Sequence, residues 1–131
     1  MTGAVEFCTS VLALDASIRF AGVANADGTS VRFKYRAGLT PLLSSDETAK
    51  SMLQAVLRSG TRFTLEDRLG ECMYTISIYK KVKRVTITLR PPTVTDRRYG
   101  ILMISMDNST DHDAILSGRV LPFLQKARLE F

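Results

Sequence analysis

The chain has 131 residues, 45% of them apolar and 24% charged, with 18 Lys and Arg against 13 Asp and Glu and a formal net charge of +5. This composition is that of a globular protein and excludes a disordered polyelectrolyte. Its apolar runs, such as 101–104, fall far short of the roughly 20 residues that cross a bilayer, so no membrane insertion is expected.

A single domain over residues 1–131 is expected, long enough to bury roughly two-thirds of the unfolded chain's surface without disulfides or metal. Residues 1–7 carry no basic stretch followed by an apolar core, so they do not read as a signal peptide. Cys8 and Cys72 have no neighbouring Cys or His at ligand spacing and read as buried thiols of a cytoplasmic protein.

In chain order, residues 4–14 place Val5, Cys8, Val11 and Leu12 at helical spacing. Strands are expected at 18–25 and 30–36, joined by a hairpin whose Asp27-Gly28 dipeptide permits positive φ. In the second strand Val31, Phe33 and Tyr35 alternate with Arg32, Lys34 and Arg36, which puts the three cations on one face. After a loop containing Gly38 and Pro41, a helix starts at Ser44. Ser44 and Glu47 stand at capping-box spacing, and Asp46 and Glu47 suit the positive helix end. Its apolar stripe is Ala49, Met52, Leu53, Val56 and Leu57, and Gly60 is its expected stop.

Residues 61–70 form a connector with one more helical turn before Gly70. Strands follow at 73–80, 82–90 and 100–106, the last nearly all apolar and hence central. A final helix opens at Asp111-His112-Asp113, with Thr110 and Asp113 at capping-box spacing, and Pro122 is expected to kink or divide it. The order α-β-β-α-β-β-β-α predicts an α/β (α+β) fold. Its core is a single five-stranded antiparallel sheet flanked by helices.

That order resembles the roadblock/dynein-light-chain domain of the profilin-like and longin-like group. The local sequence is similar to a family of small archaeal roadblock-like proteins of unassigned function. The segments that carry the resemblance are Ser17-Ile18-Arg19-Phe20-Ala21-Gly22, the run from Tyr35 to Leu43, Gly60-Thr61-Arg62, and the run from Tyr79 to Arg84. The resemblance implies a homodimer paired through the central helix and the strand after it, with Ala49, Met52, Leu53, Val56 and Leu57 as the candidate interface. It also implies a scaffold or regulator of small GTPases, or a sensor module, and supplies no catalytic residues.

Two cationic groups stand out. Lys80, Lys81, Lys83, Arg84, Arg90, Arg97 and Arg98 fall within residues 80–98 beside one acid, Asp96. They read either as a solvated strand edge, where Lys blocks edge-to-edge pairing, or as a docking surface for an acidic protein partner. Lys81, Lys83 and Arg84 are expected to be largely exposed. Arg19, Arg32, Lys34 and Arg36 on the first hairpin read either as a wet sheet face or as an anion site beside the loop 38–41. Nucleic acid fits less well, since Tyr79 and Tyr99 are the only aromatics near the charge.

The one histidine, His112, lies between Asp111 and Asp113. Consecutive helical residues fan apart, so a helix-start acid cluster explains them better than a metal site. No Gly-x-Ser-x-Gly, P-loop or Gly-x-Gly-x-x-Gly pattern occurs. No catalytic residue, metal or cofactor is therefore expected. The leading expectation is a non-enzymatic, dimerising adaptor or regulatory module, with a small GTPase or another protein as its partner. The alternatives are a small-ligand sensor with a pocket between sheet and helix and, third, a basic nucleic-acid-binding protein.

Overall fold

Period-two alternation gives the strands two apolar faces, and helices cover both. The computed structural model describes residues 2–95 and 99–131. The elements are β1 (Thr2–Gly3), α1 (Ala4–Leu12), β2 (Ile18–Asn25), β3 (Val31–Tyr35), α2 (Ser45–Phe63), α3 (Glu66–Leu69), β4 (Thr75–Ile78), β5 (Lys83–Leu89) and β6 (Gly100–Met106). They are followed by α4 (His112–Ile115), a π-helical turn (Leu116–Val120), α5 (Leu121–Lys126) and β7 (Leu129–Glu130). Five strands form one antiparallel sheet in the order β3-β2-β6-β5-β4. The mixed α/β architecture and the five-stranded sheet are those expected.

One sheet face carries Ala21, Val23, Val85, Ile87, Leu102 and Ile104. It packs on Phe7, Cys8 and Val11 of α1 and on Leu116, Val120 and Leu124 of the C-terminal helical run. The opposite face carries Phe20, Ala24, Ile101 and Met103 under Met52, Ala55 and Val56 of α2. Val31, Phe33 and Tyr35 pack at the margin of this second cluster. Phe20 lies 4.9 Å from Tyr35 and 5.8 Å from Phe33, ring centre to ring centre. Strand β6 is buried on both sides, as its continuous apolar run requires.

Local signals explain most boundaries. The Ser44 hydroxyl accepts from the Glu47 N–H while the Glu47 carboxylate accepts from the Ser44 N–H, a complete capping box at the start of α2. Gly28 has φ +72° in the β2–β3 turn, the conformation for which the Asp-Gly dipeptide was singled out.

Three expectations need correction. Helix α2 does not stop at Gly60 but runs on to Phe63. A Cβ at residue 60 would lie 3.2 Å from the Tyr99 hydroxyl, so this glycine makes room for the ring that stacks on Phe63. The last helical run is capped by Asp111, whose side chain accepts from the Ala114 N–H, and not by Thr110. The division expected at Pro122 is made by the π turn that ends just before it, where the Leu121 N–H reaches back to the Leu116 carbonyl. Pro122 lacks an N–H and cannot close a regular turn there. Strand β5 is also no sheet edge: β4 and β6 pair with its two sides. The short parallel pair β1–β7, which joins the two ends of the chain, is an additional element.

Candidate functional site

A hollow of about 410 Å³ opens where the loop between β3 and α2 faces the turn between β4 and β5. One wall is Leu39, Thr40, Pro41, Leu42 and Leu43, and the other is Tyr79, Lys80, Lys81 and Val82. Phe20, Tyr35 and Ser105 on the sheet, with Arg19 and Arg84, complete the lining. Two segments singled out by the family resemblance, 35–43 and 79–84, thus converge on one cavity.

The backbone around the hollow is pinned. The Tyr79 N–H donates to the Val82 carbonyl at 2.9 Å, closing the β4–β5 turn, and Asn108 Nδ2 donates to the Tyr79 carbonyl at 2.7 Å. Tyr35 and Thr48 hydroxyls are 2.7 Å apart. Thr48 itself donates to the Ser44 carbonyl at 2.8 Å, which leaves its oxygen to accept from the tyrosine. The loop is therefore anchored to the first turn of α2.

The cations at the hollow differ in how they are held. Arg19 Nη1 pairs with Asp107 Oδ1 at 3.0 Å. Arg84 is half-buried; its Nη2 donates to Ser51 Oγ at 3.0 Å and lies 2.7 Å from Met103 Sδ. Burial holds the Arg84 guanidinium below the ordinary arginine range. Lys80 and Lys81 are exposed.

The remaining residues of the two cationic groups go elsewhere. Lys83, on the sheet face opposite Arg84, donates to the Thr110 carbonyl at 2.7 Å and meets His112 Nδ1 at 3.2 Å. Arg90 pairs with Glu66 and stands 5.7 Å from the centre of the Phe63 ring. Arg97 and Arg98 lie outside the described residues. Lys83 and Arg84 are thus half-buried, against the expectation of exposure. In the first-hairpin group, Lys34 contacts Thr9 Oγ1 and Arg32 donates to its own strand's Val31 carbonyl. Arg36 donates to the carbonyls of Leu12, Asp15 and Ile18, which makes it a clamp on the end of α1. These four cations do not converge; Arg19 alone among them lines the hollow.

The apolar stripe of α2 divides. Met52 and Val56 are buried against the sheet and Ala49 is half-buried, whereas Leu53 and Leu57 are exposed. Sequence reasoning missed the apolar walls of the hollow. Leu39, Leu42 and Leu43 in a proline-containing loop were the available signal, because connecting loops are ordinarily polar. Among the described residues, no group of three His, Cys, Asp or Glu side chains is placed to hold a metal ion. No described helix is long and apolar enough to cross a membrane.

No family model matches the sequence, and no curated protein does. Solved structures do match in fold. MglB of Myxococcus xanthus superposes with a TM-score of 0.66 at 11% identity, over 92% of this chain and 87% of that one. A Roadblock/LC7 domain from Streptomyces avermitilis gives 0.65 at 10% identity, over 95% and 100%. An MglB structure with a tetrameric arrangement gives 0.62 at 13% identity, over 85% and 75%. This chain therefore has a roadblock-like fold.

Proposed function

We propose that the chain is a non-enzymatic adaptor or regulatory module that pairs with a second copy of itself and presents the joint surface to a protein partner. The observation that carries this reading is where apolar bulk is exposed. Of the ten large apolar side chains exposed among the described residues, eight lie between Leu53 and Tyr79. They follow the outer side of α2, then α3, then the edge strand. Leu57 is 72% exposed, Leu69 78% and Ile78 63%. Scattered exposed leucines need no explanation, but a concentration along one stretch of chain marks an interaction surface. Strand β4 adds an unpaired row of backbone groups beside it, ready to extend a sheet.

The tetrameric arrangement of one MglB neighbour is a property of that protein; it makes self-association a natural use of the same fold. A small GTPase is the class of partner that the roadblock resemblance implies. Free thiols at Cys8 and Cys72 fit a cytoplasmic setting. Light scattering of the chain at micromolar concentration is expected to give a dimer, twice the 14.5 kDa of one copy. Leu57→Glu combined with Leu69→Glu is expected to give the monomer with unchanged circular dichroism. A parent chain that stays monomeric at high concentration refutes the pairing. Small GTPases from the same organism, loaded with GDP or with a GTP analogue, supply the test of the partner class.

A further inference from the structure

Arg84 is a half-buried cation whose hydrogen-bond partners are neutral, and the Arg58 guanidinium adds like charge nearby. Its two side-chain contacts are the Ser51 hydroxyl and the Met103 thioether, and no described carboxylate forms an ion pair with it. Guanidinium keeps its proton in proteins, and buried charge is ordinarily paired. A positive charge withdrawn from water without an acid beside it is unfavourable in the chain by itself. The hollow supplies the missing context. Arg84 lines it together with Arg19, Lys80 and Lys81, and its described lining residues include no Asp or Glu. Among the described residues, only Arg19 of these cations has an acid, Asp107.

The rest of the lining selects the kind of anion. Leucines and a proline form one wall, and the mouth carries Leu42, 52% exposed, and Tyr79, 54% exposed. A polyphosphate would need a cradle of backbone N–H groups, which glycine-rich loops provide. Here the loop is leucine- and proline-rich, so the walls suit a hydrocarbon body and the cations suit one acidic head. A volume of about 410 Å³ lies in the range of small-molecule sites.

We infer that this hollow binds a small amphipathic anion, a carboxylate on an aliphatic or aromatic body. Its head meets Arg84, and its body lies between the Leu39–Leu43 loop and the Tyr79–Val82 turn. Tyr79 belongs to both this hollow and the pairing surface proposed above, but the two proposals are tested separately, since a titration reads ligand and light scattering reads mass.

Sodium octanoate and 1-octanol, titrated separately into the full chain, share a body and differ in the head. Octanoate is expected to bind with one-to-one stoichiometry and to shift the amide resonances of residues 39–43 and 79–84. Octanol is expected to bind about tenfold more weakly, because it forfeits a charge-assisted hydrogen bond. Arg84→Gln should weaken octanoate by a similar factor and leave octanol unchanged, while Arg84→Lys should keep most of the preference. Leu42→Ser should weaken both ligands. Equal affinity for octanoate and octanol in the parent chain overturns the inference, whether or not Arg84→Gln folds. So does octanoate binding that is indifferent to Arg84→Gln, and so does an absence of shifts at millimolar octanoate. If only an acidic peptide shifts those resonances, the occupant is a protein segment and the small-anion assignment is wrong.

Discussion

Arg90 and Glu66 meet through one guanidinium nitrogen, which lies 2.8 and 2.6 Å from the two carboxylate oxygens. The contact ties the end of β5 to α3, and Glu66 also accepts from the Cys72 N–H at 3.0 Å. The turn that carries Leu65 and Leu69 is thereby held against the sheet. First the Cys72 N–H and then Arg90 hold the Glu66 carboxyl below its ordinary value of 4.5. A depressed folded pKa means that the native state binds fewer protons than the unfolded one. The stabilisation is therefore full above about pH 4.5 and is lost as pH falls through the depressed value. Glu66→Gln is expected to lower the melting temperature at pH 7, with the gap to the parent narrowing as the buffer is acidified below 4.5. A gap that is constant from pH 7 to pH 3 contradicts this account.

Arg36 is expected to be the most costly of the hairpin cations to remove. It serves the carbonyls of Leu12 at the end of α1, Asp15 in the turn after it and Ile18 at the start of β2, and a cation there also opposes the negative helix end. Arg36→Met should reduce unfolding free energy by about 2–3 kcal/mol, in line with hydrogen bonds to a charged group. Arg36→Lys should rescue little, because a single ammonium does not reproduce the planar fork. Arg32→Met, on an exposed side chain of the preceding strand β3, should change stability by no more than about 0.5 kcal/mol. Urea melts of the three variants decide the ranking.

Much of this architecture was legible in the chain. Strands 18–25 and 100–106 coincide with their expected limits, because alternation and a fully apolar run leave little choice of register. The Ser44–Glu47 box was readable for the same local reason. Contacts distant in sequence were not. Nothing near Gly60 announces Tyr99, and nothing near Thr2 announces Leu129. The basic stretch shows the difference most clearly. Its charges are adjacent in sequence, yet pleating sends Lys83 and Arg84 to opposite faces, and Arg90 sits seven residues along the strand from Lys83, beside Glu66. The hollow was half legible: Arg19 and the basic turn were named, but in separate groups, since only the sheet order brings them together.

That division yields a prediction about charge reversal. Lys80→Glu and Lys81→Glu, on exposed turn residues, should each shift stability by no more than about 0.5 kcal/mol. Arg84→Glu should cost clearly more, because it places a carboxylate beside the Met103 thioether and under α2. A melt showing the three reversals to be equivalent would mean that Arg84 is as solvated as its neighbours.

The α2 cap offers a calibrated test of local structure. Ser44→Ala removes the acceptor for the Glu47 N–H and is expected to cost about 1 kcal/mol, whereas Ser44→Asp should retain most of the stability. The same change should loosen the Leu39–Leu43 wall, because the Tyr35–Thr48 contact is anchored at the Ser44 carbonyl. Faster amide exchange at residues 45–48 in Ser44→Ala than in Ser44→Asp is the expected readout.

Cys8 and Cys72 should differ sharply in reactivity. Cys8 is fully buried under the sheet, and burial pushes its thiol up to about 11, with Lys34 opposing weakly. Attack requires thiolate and access, and Cys8 has neither at pH 8. A disulfide reagent at pH 8 should therefore label Cys72 in the native chain and reach Cys8 only with unfolding. The raised value also sets an alkaline limit. The folded state holds its proton more tightly than the unfolded state, whose thiol titrates near the ordinary 9.0. The contribution to stability is full below about pH 9 and is lost as pH rises through about 11. Cys8→Ala removes this titration but leaves a small cavity in the core, so it should be less stable than the parent at pH 8. The difference between the two should shrink between pH 9 and pH 11. Equal labelling of both thiols in the native protein at pH 8, or a stability difference that does not narrow in alkali, would place Cys8 in contact with solvent.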